Sequence, residues 1–120
     1  MEVSKSVREI FRVTSELERR RAPRNPPDAD VYCLIRDPRS GSWRPGGIRD
    51  ISATGIALLT NAFFETERLL TIELRDSKRG IARKYLVEVR HSDICCPNDT
   101  WLHGCRFIHP LSDDDLQLWI

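Results

Sequence analysis

The amino-acid sequence predicts a mainly β protein in which six antiparallel strands form a barrel or a sandwich, with a helix near each end of the chain. Six short segments between residues 31 and 108 alternate apolar and polar side chains, and turn-forming residues separate them. Residues 3–20 have instead the spacing of an amphipathic helix. A chain of 120 residues can bury one hydrophobic core, so we expect a single globular domain behind a helical arm.

The N-terminal helix is predicted by apolar residues that recur at spacings of three and four. Its stripe consists of Val3, Val7, Ile10, Thr14 and Leu17. Pro23 and Pro26 end the helix before residue 23, and residues 21–29 continue as an extended segment. The stripe can pack on its own domain or join two chains in a homodimer. Its length of about two and a half heptads favours packing on its own domain.

The strands and the C-terminal helix follow from alternation and from turn chemistry. The six strands are predicted at residues 31–36, 43–51, 55–59, 70–74, 85–89 and 101–108. Within the second strand, the run Pro45-Gly46-Gly47 predicts an edge or a β-bulge. After the last strand, Ser112 and the three aspartates that follow it predict the start of a short helix, because acids are favourable at the positive end of its dipole.

Charge and hydropathy limit the classes of function. The net charge of +1 disfavours a general nucleic-acid binder, since such proteins usually carry a basic excess. No apolar run reaches the roughly 18 residues of a membrane span, and residues 1–6 do not lead into the apolar core of a signal peptide. We therefore expect a cytoplasmic protein that contacts neither membrane nor nucleic acid. Residues 1–24 hold seven Lys or Arg against four Glu, so basic charge is concentrated there.

Cysteine and histidine residues raise the question of a metal site. The four cysteines are Cys33, Cys95, Cys96 and Cys105, and the three histidines are His91, His103 and His109. None of the cysteines has the C-x2-C spacing of a zinc knuckle, and the three histidines do not sit in a nucleophile or metal arrangement. A mixed Cys/His metal site is the alternative to reduced, partly buried cysteines. We favour the reduced cysteines, and we predict neither a metal nor an enzymatic activity.

A first motif places two arginines in the proline-containing segment. Arg20 and Arg24 are separated by three residues, and Pro23 prevents a helix from continuing between them. A guanidinium is a planar fork that grips phosphate oxygens bidentately, stacks on a purine, and matches the O6 and N7 acceptors of guanine. The alternative is a solvated basic run that follows a helix and interacts favourably with its dipole.

A second motif lies between two strands. In Asp50-Ile51-Ser52-Ala53-Thr54-Gly55, the Asp50 carboxylate can accept hydrogen bonds from the N1 and N2 donors of guanine, a pairing that selects guanine over adenine. Ser52 can donate to a phosphate or fix the turn, and Gly55 permits a close approach that a side chain would obstruct. The alternative is a turn that only closes a hairpin.

In this order and strand context, the two motifs resemble those of the PilZ domain family of cyclic di-GMP receptors. That family has R-x-x-x-R followed downstream by [D/N]-x-S-x-x-G, and residues 101–107 also resemble its closing strand. The resemblance implies a six-stranded antiparallel barrel at residues 18–120, behind a helical arm at residues 1–17. It assigns ligand binding to Arg20, Arg24, Asp50, Ser52 and Gly55. Additional ligand-binding residues that it suggests are Arg19, Arg21 and Arg90.

The resemblance also implies a function. The chain would bind cyclic di-GMP as its ligand, without a further cofactor, and the arginine segment would order over the barrel when ligand binds. The ligand-switched protein would then act on a downstream protein effector that the sequence does not name. The alternative is a protein-interaction adaptor that has the PilZ fold and binds no nucleotide. Members of that kind usually lack motif arginines, which are present here.

Overall fold

The computed structural model describes residues 23–95 and 99–120, and these residues form six strands and one short helix. The strands are β1 (Val31–Arg36), β2 (Trp43–Ile51), β3 (Gly55–Thr60), β4 (Leu69–Asp76), β5 (Ile81–Cys95) and β6 (Thr100–Phe107). The helix is α1 (Asp113–Gln117). The predicted N-terminal helix lies outside the described residues. The homodimer contact that this helix could form lies outside them as well.

The strands close into an antiparallel barrel in the order β1-β2-β3-β6-β5-β4, and β4 pairs with β1 to complete the circle. The barrel that the resemblance implied is thus confirmed, and the sandwich alternative is wrong. Closure leaves no unpaired strand edge in the barrel that could pair with a strand of another chain. The sharp connection between β2 and β3 is the Asp50–Gly55 motif, so the fold places this motif where two adjacent strands meet.

Alternation along each strand fills the barrel with apolar side chains. In β4, for example, Leu70, Ile72 and Leu74 are fully buried, whereas the residues between them are partly exposed. The other buried strand residues of the core are Cys33, Ile35, Ile51, Ile56, Leu58, Val87, Val89, Cys105 and Phe107. The alternation therefore gives the barrel an apolar inner face and an outer face on which a ligand can bind. We call the outer face of β2, β3, β6 and β5 the outer wall.

The second strand differs from its prediction in one respect. Strand β2 runs through Pro45 without interruption, and its register shift lies further on, between Ile48 and Asp50. Pro45 pairs with β1, whereas pairing with β3 begins only at Gly47. Because Pro45 has a single neighbouring strand, its missing N–H group breaks no ladder hydrogen bond on the other side.

The C-terminal helix begins as predicted, and the residues that follow it pack against the barrel core. Ser112 caps α1, and its hydroxyl oxygen accepts a hydrogen bond from the Asp115 amide at 3.1 Å. Beyond the helix, Trp119 is fully buried and its Nε1 donates to the Tyr85 hydroxyl at 3.1 Å. The Trp119 carbonyl accepts from the amide of Asp28 at 2.8 Å, which ties the segment before β1 to the end of the chain.

Among the described residues, no helix has both the length and the apolar character that a bilayer-spanning helix requires.

Candidate functional site

The segment before β1 brings Arg24 of the first motif to the barrel. Asn25 forms an isolated antiparallel bridge with Ile51, in which both N–H···O distances are 2.8 Å. This bridge sets Arg24 beside the end of β2. The Nη1 atom of Arg24 lies 2.8 Å from Oδ1 of Asp50, and the two side chains are only 19% and 22% exposed. The structure therefore joins one arginine of the first motif to the carboxylate of the second.

The turn after Asp50 is held by the Ser52 side chain. The Ser52 amide donates to the Gly55 carbonyl at 2.8 Å, and the hydroxyl oxygen accepts from the amides of Gly55 and Thr54 at 3.1 and 3.3 Å. Ser52 is 1% exposed. Of the two roles that the sequence allowed for this hydroxyl, fixing the turn is the one that the structure displays. A contact between Ser52 and a phosphate stays a prediction.

Gly55 is required by the packing of the two strands that follow the turn. A Cβ atom at this position would lie 2.8 Å from the carbonyl oxygen of Cys105 on β6, closer than such contacts occur. It would also lie 3.7 Å from Nη2 of Arg24. The absence of a side chain therefore lets β3 and β6 approach each other and leaves room below the Arg24 guanidinium.

Small residues continue this outer wall toward β6. Asp50 pairs with Ala57 on β3, and Ala57 pairs with Gly104 on β6. The neighbours of Ala57 along its strand, Ile56 and Leu58, are fully buried, so alternation directs Ala57 outward. The barrel surface next to Asp50 therefore consists of a small side chain and backbone, and Ala57 is itself only 7% exposed.

Arg90 lies at the far end of the same wall. The pairing of β5 with β6 shifts between Val89 and His91, so that Arg90 is the extra residue of a bulge opposite Gly104. Arg90 is exposed, whereas His91 is buried and its Nε2 lies 3.1 Å from Oδ2 of Asp93. The structure thus places the sequence-predicted Arg90 on the wall but not in contact with the Arg24–Asp50 pair.

Arg106 is a second arginine on this wall, and the sequence did not single it out as a site residue. It pairs with Gly55 on one side and with Glu88 on the other. Its Nη2 and Nε atoms lie 2.8 and 3.3 Å from Oε1 of Glu88. The predicted alternation of β6 already directed it outward, and only the β3–β6 register places it opposite Gly55.

The cysteines described by the structure are buried thiols. Cys33 and Cys105 are free, and burial raises the pKa of each to about 12. Both thiols are therefore protonated near neutral pH, a form that is neither nucleophile nor metal ligand. Among the described residues, no group of three or more His, Cys, Asp or Glu side chains is arranged to hold a metal ion.

Comparison with known proteins identifies the family of the chain. The family model described as the PilZ domain matches residues 18–120, and these residues include both motifs. The chain belongs to the PilZ domain family. No curated protein matches the chain. Arg20 of the first PilZ motif lies outside the described residues, as do Arg19 and Arg21, so the contacts of these three arginines stay predictions.

Solved structures of PilZ proteins share the fold. The complex of MrkH from K. pneumonia with c-di-GMP has a TM-score of 0.63 and 25% sequence identity, covering 83% of this chain and 48% of that chain. The apo state of MrkH has a TM-score of 0.62 and 22% identity, covering 79% and 46%. The PilZ domain of YcgR from Escherichia coli, with c-di-GMP, has a TM-score of 0.57 and 18% identity, covering 83% and 85%. The chain thus spans about half the length of MrkH.

Proposed function

We propose that this PilZ domain is a receptor for cyclic di-GMP, which binds on the outer wall between Asp50 and β6. The observation that carries the proposal is the contact of Arg24 with Asp50 above Gly55, with an Nη1–Oδ1 distance of 2.8 Å. A cationic fork and a carboxylate meet there over a backbone without a side chain. MrkH and the YcgR PilZ domain, which share this fold, have each been solved with c-di-GMP.

Each residue has a chemical role in this proposal. Asp50 accepts from the N1 and N2 donors of guanine, which adenine does not offer in the same pattern. Arg24 and Arg20 bind the phosphates and stack on the base, since a guanidinium does both. Ser52 keeps the turn in shape, and a phosphate is the further partner that we propose for it. Gly55 leaves space for the ligand. Additional contacts come from Arg19, Arg21 and Arg90.

Ligand binding must compete with the Arg24–Asp50 salt bridge. The pair is partly buried, so separating it in the absence of ligand would leave two poorly solvated charges. A cyclic dinucleotide can satisfy both partners at once, because it carries phosphate oxygens for Arg24 and base N–H donors for Asp50. The ligand would then insert into the pair without leaving either charge uncompensated.

The switch is the finer part of the proposal. We propose that ligand draws residues 18–24 over the barrel wall and thereby repositions a helical arm at residues 1–17, which acts on a downstream protein. The fixed end of this movement is the Asn25–Ile51 bridge, which already joins the segment to β2. Bound phosphates would offset the mutual repulsion of the arginines in the segment. In this role the protein is a receptor and not an enzyme.

One observation favours the alternative function, an adaptor that binds no nucleotide. Arg24 and Asp50 already satisfy each other, so the structure is complete without a ligand at this point. An adaptor would use the same salt bridge to fix the segment permanently to the barrel. The two functions differ in a single measurable property, which is whether a cyclic dinucleotide binds.

Calorimetric titration of the protein with cyclic di-GMP tests the proposal. We expect saturable binding with one or two ligands per chain, and an affinity that falls as salt is raised because the ligand carries two negative charges. Cyclic di-AMP is the matched control ligand, since it has the same charge and lacks the guanine donors. No heat with either ligand would support the adaptor, and equal affinities for both would contradict the role of Asp50.

A further inference from the structure

Arg106 stands on the opposite side of Gly55 from Asp50. Its neighbours along β6, Cys105 and Phe107, are buried, so alternation directs the Arg106 side chain to the outer wall. Its Cα is paired with that of Gly55 across the β3–β6 ladder. Nη2 of Arg24 lies 3.7 Å from the Cβ position of Gly55, so this glycine is next to the Arg24 guanidinium and is also the cross-strand neighbour of Arg106.

Glu88 holds the Arg106 guanidinium in place. Both Nη2 and Nε are directed at Oε1 of Glu88, at 2.8 and 3.3 Å, and Arg106 keeps 43% of its side chain exposed. A guanidinium has five N–H donors, so this contact leaves three available for an anion. A side chain that is already held in one orientation loses less conformational entropy when it binds a ligand.

We infer that Arg106 is a further ligand-binding residue, which donates to a phosphate of the nucleotide at Gly55. The inference rests on the proposed function, because it concerns the same site. A cyclic dinucleotide contains two phosphates. Gly55, which has no side chain, is next to one cation, Arg24, and is paired across the ladder with the other, Arg106. A ring of sugars and phosphates can lie against that backbone and reach both guanidinium groups.

A purely structural role predicts different behaviour. Cross-strand pairs of opposite charge stabilise sheets, and Arg106 with Glu88 is such a pair. If the pair only stabilised the sheet, replacing Arg106 or replacing Glu88 would change the affinity for the ligand to the same extent. If Arg106 contacts the ligand, Arg106→Ala weakens binding and Glu88→Gln does not, because glutamine keeps an oxygen that accepts from Arg106 and removes a negative charge near an anion.

Calorimetry with cyclic di-GMP on five proteins tests the inference: wild type, Arg106→Ala, Arg106→Lys, Glu88→Gln and the control Arg83→Ala. Arg83 is exposed on β5, and within the described part of the chain its Nη1 bonds to the adjacent Ala82 carbonyl. We expect Arg106→Ala to weaken binding about 10- to 100-fold. Arg106→Lys should lose less than about fivefold, because a lysine serves a phosphate as a point charge. Glu88→Gln should bind as tightly as wild type or more tightly.

Several results would overturn the inference. If Arg106→Ala binds cyclic di-GMP with wild-type affinity, Arg106 is not part of the site, and the proposed function is unaffected. If Glu88→Gln loses as much affinity as Arg106→Ala, Arg106 has only a structural role. If Arg83→Ala loses as much, the effect of Arg106 comes from the net charge of the protein alone. If Arg106→Lys loses as much affinity as Arg106→Ala, Arg106 binds the edge of a guanine base and not a phosphate. If wild type does not bind, the proposed function fails and the inference fails with it. Thermal melting verifies that each variant is folded.

Discussion

Arg24 and Asp50 are 26 positions apart in the chain and form a 2.8 Å salt bridge that joins the segment before the barrel to the end of β2. Asp50 has a second, longer contact, 3.7 Å from Oδ2 to Nε of its neighbour Arg49. The carboxylate is therefore surrounded by cations before any ligand binds. The two PilZ motifs meet through this pair, so its replacement tests the site most directly.

Arg24→Ala should weaken ligand binding more than it weakens folding. A hydrogen bond to a charged partner contributes about 1.5–3 kcal/mol, so we expect the affinity for cyclic di-GMP to fall about 10- to 100-fold. The free energy of unfolding should also fall, by about 1–3 kcal/mol, because the partly buried Asp50 carboxylate loses its nearest cation. Calorimetry and urea denaturation measure the two quantities. Arg39→Ala is the matched control, since Arg39 is 71% exposed and lies 3.9 Å from its partner Glu65.

Asp50→Ala should change the choice of base. Without the carboxylate, nothing at this position accepts from the N1 and N2 donors of guanine, while one negative charge near the phosphates also disappears. We expect the affinity for cyclic di-GMP to fall and the affinity for cyclic di-AMP to stay equal or rise. The ratio of the two affinities, measured by calorimetry, is the informative quantity. An unchanged ratio would show that guanine is recognised by other residues.

The sequence predicted the barrel strands well because alternation with a period of two is a local pattern. Leu70, Ile72 and Leu74 are fully buried as their spacing indicated. The course of β2 through Pro45 was harder to predict. A proline is compatible with a strand there only because β3 begins to pair two residues later, and this register is set by the whole barrel.

The site was predictable in part for the same reason. Asp50, Ser52 and Gly55 belong to one turn, so their proximity follows from adjacency in the chain. Arg106 belongs to a strand that is distant in sequence, and its position opposite Gly55 depends on the pairing of β3 with β6. Likewise, the two roles that the sequence left open for the Ser52 hydroxyl could be compared only once its contacts with the Gly55 backbone were known.

Gly55→Ala should destabilise the protein even in the absence of ligand. The added Cβ would lie 2.8 Å from the Cys105 carbonyl, and two paired strands would have to move apart to accept it. Overpacking of this kind costs about 1–3 kcal/mol, which urea denaturation measures as a lower midpoint. Gly47→Ala is the control, because its nearest contact would be an ordinary 3.5 Å to Leu59. Equal stability of the two variants would contradict the packing requirement at Gly55.

His103 should make stability depend on pH. It is fully buried, its Nε2 donates to the Ala62 carbonyl at 3.1 Å, and its Nδ1 lies 2.9 Å from the Ser92 hydroxyl. Burial lowers the pKa of His103 below its ordinary value of 6.5. As pH falls through 6.5, the unfolded chain therefore binds a proton before the folded protein does, and stability declines until the folded pKa is reached.

Urea denaturation between pH 7.5 and 5 should show this decline in wild type. His103→Gln, which retains the other two histidines, should show a smaller decline over the same range. Because the replacement of a buried residue can itself unfold the protein, the His103 ring is also titrated by NMR in wild type. A midpoint at or above 6.5 would contradict the effect of burial.

Ligand at the Asp50–Gly55 turn should protect amides that lie outside the site. The carbonyls of Ala53 and Thr54 within the turn accept from the amides of Leu111 and Phe107, at 2.8 and 2.9 Å. A ligand that holds the turn raises the free energy of opening for these hydrogen bonds, so both amides should exchange more slowly. Hydrogen exchange with and without cyclic di-GMP measures this, together with the Asn25 amide that bonds to Ile51.

The Gly80 amide is the internal control for this experiment. It donates to the Asp76 carbonyl at 2.9 Å in the turn between β4 and β5, and it has no hydrogen bond to either motif. Slower exchange at Gly80 as well would indicate a general rise in stability through ligand binding. Protection at Asn25 alone would confine the effect to the segment before β1. Slower exchange at Asn25, Phe107 and Leu111, with unchanged exchange at Gly80, would show that the ligand stabilises both the turn and the residues that lead to α1.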